Sequence, residues 1–137
     1  MKTASEIEGD FWTWVKGSPL ATAVNGNVYR GRGMRPRDSR LEDITVCHIA
    51  GLTGQVQEGV VRVKVYVKDI DPWDNGVMVA DGARLSQIER IAQDWFDCAP
   101  EVGSDYWLEL QDTIATGEDA EISQHFVVIS IKYNVKF

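Results

Sequence analysis

Residues 59–68 alternate with a period of two: Val61, Val63, Val65 and Val67 on one side, Arg62, Lys64, Tyr66 and Lys68 on the other. That period belongs to an extended strand, whose successive side chains point to opposite faces. One face must enter a core, and the other must meet water or a partner. Just upstream, 42–50 reads EDITVCHIA, with Ile44, Val46 and Ile49 as strand formers. Glycines at 51, 54 and 59 mark a bend between the two runs. The pair is therefore predicted as a hairpin at the centre of an antiparallel sheet.

The flanking segments supply helices and further strands. Thr3 followed by Glu6 has the form of a capping box, and Ile7, Phe11, Trp14 and Val15 then recur at helical spacing up to Gly17. A helix is expected over 4–16, with Trp12 off the main stripe and so a candidate for contact with a neighbouring subunit. Ser18-Pro19 suits a short helical turn through Ala23, and 28–31 a short strand. Asp81 is placed to cap a second long helix carrying Leu85, Ile88, Ile91, Ala92, Trp95 and Phe96 on one stripe, ended by Pro100. Two closing strands follow, one with Tyr106, Leu108, Leu110 and Ile114 on a face, the other with Val127, Ile129, Ile131, Tyr133, Val135 and Phe137. Residues 116–121 are expected as the turn between them. The order implies a single α+β domain over 1–137. It predicts an antiparallel or mixed sheet of four to five strands with two main helices packed on one face.

Charge narrows the function classes. The formal net charge is −7, unevenly spread. The segment 28–40 holds five arginines (Arg30, Arg32, Arg35, Arg37, Arg40) against Asp38, whereas 69–121 holds fourteen acids against Arg84 and Arg90. The basic segment is glycine-rich and interrupted by Pro36, so it is expected as a projecting loop. Its arginines are suited to planar pairing with carboxylates or phosphates. Repulsion from phosphates argues against sequence-independent nucleic-acid binding over the whole surface. No apolar run approaches the roughly 20 residues that span a bilayer. The first residues lack the apolar core of a signal peptide, so a cytoplasmic setting is expected. Cys47 and Cys98 are expected as reduced, mostly buried thiols.

Catalytic and metal-binding patterns are weak. Cys47 and His48 are adjacent, and neighbours on a strand point to opposite faces. Joining His48, His125 and Cys98, or pairing a thiol with His125, requires a coincidence that no spacing supports. Asp69, Asp71 and Asp74 alternate loosely like a calcium loop without its glycine and terminal glutamate. GRGMRP lacks the lysine and hydroxyl residue of a phosphate loop. The sequence-level expectation is no enzyme and no cofactor.

The order of elements resembles small tail-completion or tail-terminator proteins of long-tailed bacteriophages and prophages. The likeness rests on the N-terminal helix, VNGNVYRG, the loop with Pro36, EDITVCHIAG followed by QVQEGVVRVKVYVKD, and one helix before a closing pair of strands. The resemblance implies a non-enzymatic subunit that assembles with itself into a ring, commonly of six copies, in the neck of a virion. Its implied partners are the tail tube and head-completion proteins, with DNA only passing through the hole. It places subunit contacts near the sheet edge and in the loop Arg30, Arg32, Arg35, Arg37, Arg40, which alternatively faces DNA. The segment 69–82 with Trp73 is less typical of the family. Two other classes stand beside this one: an adaptor binding a partner protein through Arg62, Lys64, Tyr66 and Lys68, and a small ligand-binding domain or enzyme lined by Trp73, Trp95 and Trp107.

Overall fold

A strand with valine at every second position can bury that face only if neighbours extend it on both sides, and the sheet grows outward from this one. The computed structural model describes residues 2–31, 33–52, 57–98 and 105–136. Its strands are β1 (Val28–Arg30), β2 (Ile44–Leu52), β3 (Glu58–Lys68), β4 (Tyr106–Leu110), β5 (Ala115–Asp119) and β6 (Gln124–Val135). Its helices are α1 (Ala4–Lys16), α2 (Pro19–Ala23) and α3 (Gly82–Cys98). The sheet order is β1-β2-β3-β6-β4, with β5 also paired to β6. The fold is α+β with a mixed sheet.

Of the two expected alternatives the sheet is the mixed one, and it has six strands where four to five were expected; both features have local causes. First, β1 runs parallel to β2, Val28 opposite Ile44 and Arg30 opposite Val46, while the other pairings are antiparallel. A parallel neighbour cannot be reached by a tight hairpin, so the chain must travel back along the pair before β2 begins. Second, there are six strands, because β5 (Ala115–Asp119) takes up most of 116–121, which was expected as a turn or short loop. Both β4 and β5 lie along the same edge of β6: Leu110 stands opposite Ile131 and Ala115 opposite Val128. The sheet is thus five strands wide with an interrupted fifth position. Gly117 permits this, since a Cβ there would lie 2.5 Å from the Phe126 ring.

Valines 61, 63, 65 and 67 face the helices and are buried, joined by Ile129, Ile131 and Tyr133 from β6. From the helices, Phe11 and Val15 of α1 and Ile88, Ala92 and Trp95 of α3 close the same core. Phe11 meets Tyr106 edge-on at 5.3 Å between centroids, and Trp14 lies 4.5 Å from Trp95. The Thr3–Glu6 capping box is formed, and Asp81 Oδ1 accepts from the Arg84 amide at 3.2 Å at the start of α3. Trp12, considered for a subunit contact, donates its indole N–H to the Val28 carbonyl at 3.0 Å and lies under Lys16 Nζ. Pro100, Phe137 and the hairpin bend at 53–56 lie outside the described residues. No helix among the described residues is long and apolar enough to cross a membrane.

Candidate functional site: a cationic cleft on the open sheet face

The face of the sheet opposite the helices carries the other half of the alternation. Arg62 pairs across with Ser130, Lys64 with Val128 and Tyr66 with Phe126, and side chains at paired positions share a face. On β2, Thr45 and Cys47 continue that face, and a bulge at Ile49, between the His48 and Ala50 pairings, adds one more residue to it.

The return of the chain from β1 to β2 roofs part of this surface. Gly31, at φ 91°, turns the backbone out of β1 in a conformation that side chains disfavour, and its amide bonds the Val46 carbonyl at 2.8 Å. The segment then crosses the open face and encloses a cleft of about 480 Å³. Its walls bring together Arg35 and Arg37 from the loop with Arg62, Lys64 and Tyr66 from β3, and Asp119 and Ile122 also line it. Two sets of residues singled out separately in the sequence therefore line one site.

The four described arginines of the loop segment have divided roles. Arg35 is turned inward, its side chain only 7% exposed, with Nε 2.9 Å from Asp43 Oδ2. Its Nη2 donates to Gln124 Oε1 at 2.8 Å and to the Leu41 carbonyl at 3.2 Å, and its guanidinium lies 4.1 Å above the Tyr66 ring. Asp43 and Gln124 are themselves fully buried. Asp43 also accepts from Ser39 Oγ at 2.5 Å and from the Asn27 amide at 2.9 Å, so the buried charge is fully partnered. Arg35 is thus the rivet of the loop and does not present its charge outward, as the projecting loop had suggested. Arg30 points to the helix side, where it bonds the Ser5 carbonyl and approaches Glu8 at 3.8 Å. Arg40 bonds the Ile122 carbonyl at 2.5 Å. Arg37 reaches Glu121 at 2.9 Å with both side chains 76% exposed, a geometry that water screens strongly. Arg32 lies outside the described residues.

Of the strand set, Arg62 contacts Ser130 Oγ at 3.4 Å and Lys64 Nζ lies 4.5 Å from the Phe126 ring. Burial raises the Tyr66 phenol above its ordinary value, with Arg35 opposing, so Tyr66 stays neutral near pH 7. Lys68 is exposed at the end of β3 and lies outside the cleft. Beside the internally neutralised Arg35–Asp43 pair, the cleft is lined by Arg37, Arg62 and Lys64 and by Asp119, with Arg37 paired to Glu121. Sequence reasoning missed Asp43 and Gln124, which hold the site in shape.

Other candidates are accounted for elsewhere. Cys47 is half-buried in the cleft wall and Cys98 is exposed, which corrects the expectation of two buried thiols. His48 bonds the Tyr133 hydroxyl at 2.8 Å, and His125 bonds Asp69 at 2.7 Å. Among the described residues no group of three or more histidines, cysteines or acids is placed to hold a metal. Asp71 spends its carboxylate on the amides of Asn75 and Gly76. Trp95 is buried in the core, Trp73 and Trp107 are exposed, and none of the three lines the cleft.

No protein-family model matches the chain, and a search of curated proteins gives no match. One solved structure, whose description names no activity, is similar over 96% of this chain and 91% of its own, at 17% identity and a TM-score of 0.47.

Proposed function

We propose that this chain is a non-catalytic assembly subunit of the tail-completion or tail-terminator kind, which associates head to tail with copies of itself at the neck of a virion. The observation that supports this most is the segregation of opposite charge on one small fold. The open face offers Arg37, Arg62 and Lys64 in a shaped cleft, whereas the exposed carboxylates of Asp94, Asp97, Glu109, Asp112 and Glu118 lie on α3 and the β4–β5 side. A ring needs two unlike, complementary patches per subunit, and this distribution supplies them. The tail tube, head-completion proteins and DNA passing through the hole are the partners such a ring serves.

Light scattering over a concentration series tests the proposal. Self-association that falls as salt is raised, and that is lost in an Arg37→Glu/Lys64→Glu double variant, is the expected result. Arg35 is left alone in this experiment, because replacing it disturbs the fold. A chain that stays monomeric at every concentration overturns the proposal. The adaptor alternative uses the same cleft for a different protein and predicts a monomer that is captured by that partner.

A further inference from the structure

The loop between β3 and α3 is built to hold an aromatic side chain out of the molecule. Its base is closed by paired backbone bonds between Ile70 and Val79, both 2.8 Å. Within it, Asp71 accepts from the Asn75 and Gly76 amides at 3.1 and 2.8 Å, and Asn75 Oδ1 accepts from the Val77 amide at 3.0 Å. The turn passes through Asp74 at φ 52°, a left-handed conformation that a non-glycine residue adopts under local constraint. At its outer end Trp73 is 69% exposed, with Val77 and Met78 about half exposed and the carboxylate of Asp74 beside it. The backbone that carries this exposed indole is held by the turn's own hydrogen bonds, so binding has less backbone freedom to remove.

The cleft has the complementary chemistry. Its volume of about 480 Å³ falls within the roughly 300–1,000 Å³ of sites that enclose small ring systems. Tyr66, under the Arg35 guanidinium, is among its lining residues, and the lining carries guanidinium and ammonium groups, which are attracted to the face of an indole and to a neighbouring carboxylate. No residue of the 69–82 loop lines the cleft, so a molecule's own Trp73 does not occupy it. We infer that the Trp73–Asp74 tip of one copy seats in the Arg37/Arg62/Lys64 cleft of a second copy. This rests on the self-assembly proposed above and adds to its charge pairing one specific contact, made by the β3–α3 loop.

The test is sedimentation equilibrium on the full chain and three variants, with circular dichroism confirming that each is folded. Trp73→Ala and Arg62→Glu should each weaken self-association roughly thirtyfold, the scale of a central tryptophan or arginine at an interface. Trp107→Ala removes a tryptophan that is 64% exposed elsewhere and should leave association unchanged. Mixing Trp73→Ala with Arg62→Glu should restore one-to-one pairs, since the first retains the cleft and the second the tip. If Arg62→Glu unfolds, Lys64→Glu takes its place. Wild-type association that Trp73→Ala leaves intact, or a mixture that stays unpaired, overturns this inference while self-assembly stands. A wild-type chain that never associates overturns both.

Discussion

The two faces of this sheet are held by different physics. On the helix side Val61, Val63 and Val65 pack with Phe11, Ile88 and Ile129, all fully buried, and no single pair of atoms decides the outcome. Many weak contacts and the removal of apolar surface from water do the work there. On the open side one loop is fastened by a few directional bonds centred on Arg35, each with a specific partner. A nonpolar face tolerates imprecision in any one contact. A polar rivet does not, because a lost partner leaves a buried charge unanswered.

Four measurements press on that contrast, from the largest effect to the smallest. Phe11→Ala should lower stability by about 3–5 kcal/mol in chemical denaturation, as a ring is deleted from a filled core. Arg35→Ala should cost a similar amount, about 3–5 kcal/mol, because Asp43 would keep its buried carboxylate without its cation. A cost near zero for Arg35→Ala would mean that the open face is held by something other than the rivet. The double variant Arg35→Ala/Asp43→Ala should be less destabilised than the sum of its parts.

The third measurement is acid titration of stability, which acts on the helix side. Burial holds the His48 imidazole below its ordinary value of 6.5, against a smaller opposing pull from Glu8. The unfolded chain therefore binds a proton more readily, so this contribution is complete above about pH 6.5 and fades as pH falls below it. Asp10 acts lower on the scale. Burial alone would raise its carboxyl, but hydrogen bonds from Lys2 and Tyr106 outweigh that and leave it below 3.8. Its contribution is present above that value and is lost as pH falls through the lower folded one. Variants His48→Gln and Asp10→Asn should each flatten the corresponding part of the curve. Last, Arg37→Ala should leave the denaturation midpoint unmoved, since its pair with Glu121 is open to water, while still weakening association.

The two faces also differ in how far the sequence reveals them. The valine alternation, the α1 and α3 stripes, the capping box and the hairpin all follow from periodicity and local chemistry, and the structure contains each of them. Such signals are short-range and repeat, so one chain suffices to read them. The open face is otherwise. Arg35 looks like its four neighbours in a basic loop, and only Gln124, 89 positions away, together with Asp43 marks it as interior. The one available hint was Asp43 itself, an acid standing immediately before the buried run of β2. β5 was equally hidden, since ATGED has little strand character and is extended only because β6 offers it an edge. A mixed sheet was expected as one alternative, but not which strand runs parallel, because the three residues of β1 carry no directional signal.

The loop's anchors include Gln124, the first residue of β6, and the Ile122 carbonyl just before it. During synthesis the arginine segment leaves the ribosome long before those anchors do. A nascent chain can pair β2 with β3 and join Arg35 to Asp43, yet its loop lacks the long-range anchors until residue 124 has emerged. The cleft is therefore finished only once the start of β6 has been made, and a nascent chain that stops short of it has no completed surface with which to engage its siblings.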